Sequence, residues 1–348
     1  MSESQPFQPS LALDIGGSNI KVCDCDLHGQ LHAFSERFAF CDVFGDLAET
    51  LKKIAKQCDP PPACWLVTMT GELSDCFMDR NQGVERILNA VELAAGDVPV
   101  SVWSTAGRFV SVASALDQYV NVASANWHVL GTWVGLSYPQ QRVLLLDTGS
   151  TTTDLIPVLQ GKVSTNGMTD ASRLEHGELL YLGGSMTPLM AIGLADHKRL
   201  IVNEWFANMQ DVAVLLGFSP ENGRDIDTPD GEPLMSDACA RRLLRMIGRD
   251  LLDASSMTDA QQLAREFLDS AIKQITNALK NQLQCHAPID AVLLSGSGSW
   301  LLKQVLQQYF SQLKCLSLND LWDSRLSTAA CGVAMTKVYQ SQVSECQK

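Results

Sequence analysis

Two stretches of this chain repeat one pattern, and that repetition restricts the fold more than any other feature. "LALDIGGSNIKVCDCD" at 11–26 and "VLLLDTGSTTTDLIPV" at 143–158 each run an apolar strand into an aspartate, then small, hydroxyl or amide residues, then a second strand. Asp14 and Asp147 stand about one lobe apart, too far to share a loop, so the spacing predicts a duplicated device. Glycines after a strand-ending aspartate let the chain turn tightly and bring backbone N–H groups against an anion. Gly16, Gly17, Ser18 and Asn19 in the first copy, and Gly149, Ser150, Thr151 and Thr152 in the second, are therefore the candidate anion-binding residues. Asp14 and Asp147 are the candidate carboxylates for a hydrated Mg²⁺, which takes one or two carboxylates and completes its shell with phosphate oxygens and water. The expectation is two hairpins facing across a cleft and gripping one polyphosphate.

A third segment, "AVLLSGSGSWLL" at 291–302, reads as strand, Gly-Ser-Gly and helix, which can lay a phosphate or a flat group on a helix N-terminus through Gly296 and Gly298. A single Gly-rich turn usually only reverses the chain; three in this order say more. Lys21, two residues after Asn19, can reach a diphosphate as a point charge, or can be a solvated strand-edge lysine.

At 348 residues the chain exceeds one hydrophobic core. The first lobe is expected over 10–140 and the second over 141–340, with an insertion around 165–255. Strands are expected at 11–15, 20–25, 31–40, 64–68, 100–103, 143–147, 155–159 and 291–295. Helices are expected at 43–57, 83–95, across 108–133, at 203–217, 258–284 and 300–309, and in the small-residue stretch near 327–335. The class is α/β, helices on a mixed sheet. The polar segment "SPENGRDIDTPDGEP" at 219–233 reads as a surface loop, a lid or a solvated connector.

A formal charge of −13 excludes a nucleic-acid partner but not a small phosphate ester, because a local nest of N–H groups and a cation outweigh a distant, screened field. Eleven cysteines without paired spacing, and an N-terminus without a basic-then-apolar signal, place the expectation in a reducing cytoplasm. No apolar run approaches the roughly 18 residues of a membrane span. Cys23 and Cys25 read as strand residues, and His176 and the other histidines show no metal spacing.

"LDIGGSN", "LDTGSTTTD" and "LLSGSGS" resemble the two phosphate motifs and the adenosine-type motif of the actin, heat-shock chaperone and sugar-kinase superfamily. Within it the chain is similar to the hydantoinase A-like branch. More narrowly, "VTMTGELSDCF", "TTTDLIPV", "RLEHGELLYLGG", "FANMQDVAVLLG" and "DTPDGEP" resemble the family linked to tetrahydromethanopterin-dependent C1 transfer. The resemblance implies a two-lobed, duplicated ribonuclease H-like fold with a central cleft. It also implies a transferase of methanofuran biosynthesis that joins an aminomethylfuran methyl diphosphate to the phenol of tyramine or γ-glutamyltyramine and releases pyrophosphate, with Mg²⁺ and the hairpins holding the leaving group. The implied partners are these small molecules, with no nucleic acid and no membrane; a homo-oligomer stays open.

Asp154, Glu72 and Asp75, each in a family-like motif, are the candidates to take the phenol proton, although Glu72 and Asp75 can equally be loop or helix-capping carboxylates and Asp154 can orient the hairpin. Glu178 and Tyr181 are spaced to line a substrate pocket, with Tyr181 stacking on an aromatic ring or packed in the core. The alternative is an ATP-dependent small-molecule kinase or hydantoinase-like ATPase, in which Gly296 and Gly298 seat adenosine. The chain departs from the family at Met186, where an arginine commonly precedes the Thr-Pro pair, and at Ser18, where alanine is commoner.

Overall fold

The computed structural model describes residues 7–38, 40–194 and 200–346. It is a mixed α/β protein with two sheets. The first sheet is ordered β3-β2-β1-β4-β5-β6, built from β1 (Ser10–Ile15), β2 (Asn19–Cys25), β3 (Leu31–Arg37), β4 (Cys64–Met69), β5 (Val100–Ser104) and β6 (Arg108–Val110). β1 and β4 are buried along their whole length and pair in parallel, Asp14 opposite Thr68. Strands flanked on both faces read as continuous apolar runs, which is how "LALDI" and "CWLVTM" are written. β1, β2 and β3 form the antiparallel meander expected from the turn at Gly29.

The second sheet is ordered β10-β8-β7-β11-β12, from β7 (Arg142–Thr148), β8 (Thr153–Leu159), β10 (Leu179–Leu180), β11 (Ala291–Ser295) and β12 (Cys315–Ser317), with β9 (Lys162–Val163) paired to β8. The chain divides into two compact units, each discontinuous in sequence. Unit 1 holds Met1–Leu145, Ile156–His176 and Leu316–Lys348; unit 2 holds Leu146–Leu155 and Gly177–Cys315. The closing helix Ala330–Cys346 lies in unit 1, where Gly332 lets it approach Cys23: a methyl group there would stand 3.0 Å from the Cys23 Cβ.

Several elements differ from the sequence reading. β3 stops at Arg37, and Phe40 opens a short helix, with position 39 of the expected strand outside the described residues. The helix expected across 108–133 begins instead as β6, because Phe109 pairs with Trp103 of β5; α-helices follow at Val112–Asp117, capped by Ser111, and at Asn126–Ser137, with a 3₁₀ turn at Tyr119–Asn121 between them. The helix expected over 203–217 is confined to Met209–Leu215. Its start is fixed by Asp211, which accepts the Asn208 N–H at 2.9 Å, while Trp205 Nε1 donates to Asn208 Oδ1 at 2.6 Å. No helix among the described residues is long and apolar enough to cross a membrane.

The polar loop at 219–233 is fastened rather than free. Arg242, fully buried on the helix Ser236–Arg245, donates from Nε to Asp211 at 2.8 Å and from Nη1 to Asp230 of the loop at 2.9 Å. Burial pushes the Asp211 carboxyl up while Arg242 pulls it down. Removing one partner of a buried pair strands the other charge. Arg242→Ala should therefore destabilise the protein by about 3–5 kcal/mol in urea unfolding, and a change under about 1 kcal/mol would show that the pair is dispensable.

Candidate functional site

In unit 1, Asp14 lies one residue before the end of β1 and only 2% of it is exposed. Its Oδ2 lies 3.8 Å from the half-exposed Lys21 ammonium, and its Oδ1 is buried without a hydrogen-bond partner. Burial pushes the carboxyl up; Lys21 and a thiol contact from Cys331 oppose that. The hairpin beyond it closes through Gly16 N–H to Asn19 C=O at 2.9 Å, and Gly17, Ser18 and Asn19 are exposed. The carbonyls of Gly17 and Ser18 are tied down by the N–H groups of Phe40 and Phe38. A Cβ on Gly17 would meet Ser74 Oγ at 3.3 Å, so the hairpin abuts the turn that carries Glu72.

Glu72 sits in the single 3₁₀ turn Gly71–Leu73 that follows β4, 1% exposed. Its Oε1 accepts a hydrogen bond from Ser124 Oγ at 2.8 Å, and Oε2 has no partner. Burial, opposed by the Ser124 hydroxyl, pushes the carboxyl up to about 7. Ser124 also lies 3.4 Å from Asp170 Oδ2, which takes an ion-paired hydrogen bond from Arg80 Nη2 at 2.8 Å. Ser124 occupies the left-handed region at φ 48, a conformation that a serine holds only when its surroundings over-determine it. Gly83 is what allows this packing: a Cβ there would stand 2.6 Å from the Glu72 carbonyl oxygen. On the helix that Asp170 opens, Arg173 is fully buried and lies 3.8 Å over the Trp127 ring. Burial first, and Arg173 second, hold the neighbouring His128 down to about 4, so that imidazole is neutral.

Among the predicted bases, Glu72 therefore stands in a polar cluster, whereas Asp75 is exposed on the loop after it. Ser124, Asp170, Arg80 and Arg173 were not singled out in the sequence. The signal was faint: Arg80 and Gly83 follow "TGELSDCFMD" within one helix turn or two, but Ser124 and Asp170 come from remote segments.

In unit 2, Asp147 is partly buried one residue before the end of β7. The hairpin Gly149 to Thr152 closes with Gly149 N–H to Thr152 C=O at 2.9 Å, leaving Ser150 and Thr151 exposed. Two other turns lock onto it. Gly184 N–H donates to Gly149 C=O at 2.9 Å, and Ser185 and Met186 N–H both donate to Ser150 C=O, at 3.2 and 2.8 Å. Gly298 N–H donates to Thr148 C=O at 2.8 Å. Thr153 Oγ1 lies 3.1 Å from Thr148 Oγ1 and donates to Leu182 C=O at 2.6 Å. A Cβ on Gly183 would collide with the Ser150 carbonyl, one on Gly184 with Gly298 Cα, and one on Gly296 with the Thr148 carbonyl. Gly296 and Gly298 thus pack directly against the second hairpin.

Asp154 lies partly buried on β8 opposite Leu179, Glu178 is fully buried with its C=O accepting from Leu155 N–H at 2.8 Å, and Tyr181 is 54% exposed. Tyr181 is therefore a surface ring rather than a core one. Asp154, Glu178 and Tyr181 cluster around β10; Glu72 and Asp75 belong to unit 1.

The residues present fit a hydrated Mg²⁺. Among the described residues no three His, Cys, Asp or Glu side chains cluster as a protein cage. The orphaned Oδ1 of Asp14 beside the exposed hairpin is the single-carboxylate arrangement that Mg²⁺ shares with phosphate oxygens and water.

Against known proteins, the chain aligns at 28% identity over 342 residues, 96% of its length and 98% of the relative's, with the (4-{4-[2-(gamma-L-glutamylamino)ethyl]phenoxymethyl}furan-2-yl)methanamine synthase of Methanocaldococcus jannaschii. A synthase of the same name from Methanococcus vannielii aligns at 29% identity over 192 residues, 53% of this chain and 85% of that one. Among solved structures, nucleotide-free acetone carboxylase superposes with a TM-score of 0.57 at 8% identity, over 96% of this chain and 70% of that one, a likeness of fold. The hydantoinase/oxoprolinase profile matches residues 66–340, most of the chain, which therefore belongs to the hydantoinase/oxoprolinase family.

Proposed function

We propose that this chain is a transferase of methanofuran biosynthesis that forms the phenoxymethyl ether named in its relatives. The alignment over nearly the full length of a synthase whose product is a phenoxymethylfuran amine carries this reading. In the reaction, a phenol oxygen of tyramine or its γ-glutamyl amide bonds to the methylene carbon of an aminomethylfuran methyl diphosphate. The carbon–oxygen bond to the diphosphate breaks, and the electron pair leaves with pyrophosphate. The furan ring shares positive charge at the reacting carbon as that bond loosens.

The chain's part is to take one proton and to hold growing negative charge. Glu72, poised near neutrality, is the acceptor: the phenol donates to Ser124 Oγ, and the Ser124 proton passes along the 2.8 Å bond to Oε1. The neighbouring Arg80–Asp170 pair keeps Ser124 in place. The exposed Gly17 to Asn19 turn and the Lys21 ammonium bind diphosphate oxygens, donors held by the hairpin before the charge appears. In unit 2 the locked hairpin with Ser150 and Thr151 offers the same chemistry. Mg²⁺ held at Asp14 would neutralise charge on the departing diphosphate.

The test is mass spectrometry of the purified protein with Mg²⁺, the furan diphosphate and either amine, without ATP. An ether product with one pyrophosphate per turnover is expected. ATP hydrolysis without ether would reassign the chain to the ATP-dependent members of its family. Asp14→Asn should raise the Mg²⁺ needed for half-maximal turnover by about tenfold or more, and an unchanged Mg²⁺ dependence would remove Asp14 from the metal's shell.

A further inference from the structure

Two exposed cysteines of unit 1, Cys41 and Cys76, lie in thiol–thiol hydrogen-bonding contact. Their neighbours in sequence bring them together. Cys41 follows Phe40 on the short helix Phe40–Val43, and Cys76 precedes Phe77 on the loop between the Glu72 turn and the helix Arg80–Ala95. The Phe40 and Phe77 rings are buried and pack edge to face, centroids 5.8 Å apart, and Phe38 packs edge to face on Phe40 at 5.5 Å. That aromatic cluster holds the two segments against each other, and the thiols meet where the segments reach the surface.

The same segments brace the first hairpin. Phe40 N–H donates to Gly17 C=O at 3.1 Å, and Ser74 Oγ stands 3.3 Å from where a Cβ of Gly17 would be. Phe40 Cε2 lies 3.0 Å from where a Cβ of Gly71 would be, and Gly71 opens the turn that holds Glu72. A bond between the two sulfurs therefore ties together the supports of Gly17 and Glu72.

The pair is also set apart from the other cysteines by its chemistry. Burial pushes the thiols of Cys23 and Cys58 up to about 12 and that of Cys25 up to about 11, which withdraws them from exchange at neutral pH. Cys285 and Cys315 are exposed but belong to unit 2. Burial, and the Cys41 thiol beside it, push Cys76 up, so Cys76 keeps its proton and Cys41 is the attacking sulfur. A second, resolving thiol held in contact needs no low pKa, because proximity raises its effective concentration.

We infer that Cys41 and Cys76 form a redox-sensitive dithiol that a low-molecular-weight disulfide oxidises, closing a cross-link that slows the reaction at the first hairpin. The Cys41 thiolate attacks one sulfur of the small disulfide and expels a thiolate; the Cys76 sulfur then attacks the Cys41 sulfur of the mixed disulfide and expels the second. The protein gives up two electrons and two protons, and the small disulfide leaves as two thiols. A covalent sulfur–sulfur bond is shorter than a thiol hydrogen bond, so closure draws the helix at Phe40 toward the loop at Ser74 and shifts Gly17 between them. A displacement of about 1 Å at a reacting centre costs up to about a hundredfold in rate. The cross-link itself is independent of the synthase reading; its effect on ether formation rests on that reading.

The experiment exposes the reduced full chain to oxidised glutathione, maps its peptides by mass spectrometry without reductant, and measures ether formation and pyrophosphate binding with Mg²⁺ before and after. A Cys41–Cys76 peptide lacking two hydrogens is expected, with turnover and pyrophosphate affinity each lower by about tenfold or more and both restored by dithiothreitol. Cys41→Ser should match the reduced wild type and ignore oxidised glutathione. Separate glutathione adducts on the two cysteines, with no cross-link, overturn the pairing. A cross-link that changes neither turnover nor pyrophosphate affinity overturns the coupling to the hairpin, as does equal inhibition of Cys41→Ser. Absence of ether formation in the reduced protein sinks the synthase reading alone, and the change in pyrophosphate affinity then decides the inference.

Discussion

Glu72→Gln is expected to lower turnover by at least about a hundredfold while making the folded protein more stable at pH 8. The two effects have one cause. Glu72 is almost completely sealed from solvent, with Oε2 unpartnered, and its carboxyl is pushed from the ordinary 4.5 up to about 7. A carboxyl with a raised folded pKa favours the folded state when protonated. Its contribution is complete below about pH 4.5, declines as the unfolded chain ionises, and is gone once pH has risen through about 7. Glutamine, neutral at every pH and able to accept from Ser124, abolishes that decline. The gain at pH 8 should be about 1–3 kcal/mol, an order-of-magnitude figure for a shift of this size. The same charge is what the proton transfer uses, so wild-type kcat/KM should rise along a limb centred near pH 7. Urea titrations at pH 5 and pH 8 decide the first point. A variant that loses stability at pH 8, or that keeps wild-type turnover, would remove Glu72 from the base position.

The two hairpins could be read in the sequence because their geometry is local. A strand-terminal aspartate followed by glycines forms a hairpin whatever surrounds it, and both hairpins close as the spacing predicts, through Gly16 to Asn19 and Gly149 to Thr152. What was not legible is contact between remote segments. In the sequence Glu72 is a candidate base and a capping carboxylate alike, and the cluster around it appears only when Ser124 and Asp170 are brought to it from beyond β6 and β9. Gly83, at the head of the helix expected over 83–95, and Gly183, in "YLGG", likewise give no sign in sequence that each clears the way for a backbone, that of Glu72 and that of Ser150. The misread helix at 108–133 has the same origin. Its alanines, serines and valines suit either state, and the pairing of Phe109 with Trp103 chose the strand. Arg242 hides equally well, an ordinary basic residue in "ARRLLR" until Asp211 and Asp230 close around it.

The interlocked turns of unit 2 make the second large effect. Gly296→Ala should cost several kcal/mol and remove turnover, for two separable reasons. Gly296 holds φ +88, which a side chain adopts at a cost of about 1–2 kcal/mol. Its Cβ would also run into the Thr148 carbonyl and come within 2.7 Å of Asp147 Oδ1, and overpacking of this kind adds about 1–3 kcal/mol. Gly177→Ala separates the two terms, because Gly177 has φ +63 but open space around its Cβ position. That variant should lose only the conformational part and keep its activity. The difference between the two measured stabilities is then the contribution of the close approach between the Gly-Ser-Gly turn and β7. Loss of turnover in Gly296→Ala beyond what its unfolded fraction explains would tie that approach to the geometry of Asp147 and the hairpin. Equal stability losses in the two variants would mean that the turn yields freely, and that the hairpin's shape is held by the Gly184, Ser185 and Met186 N–H groups.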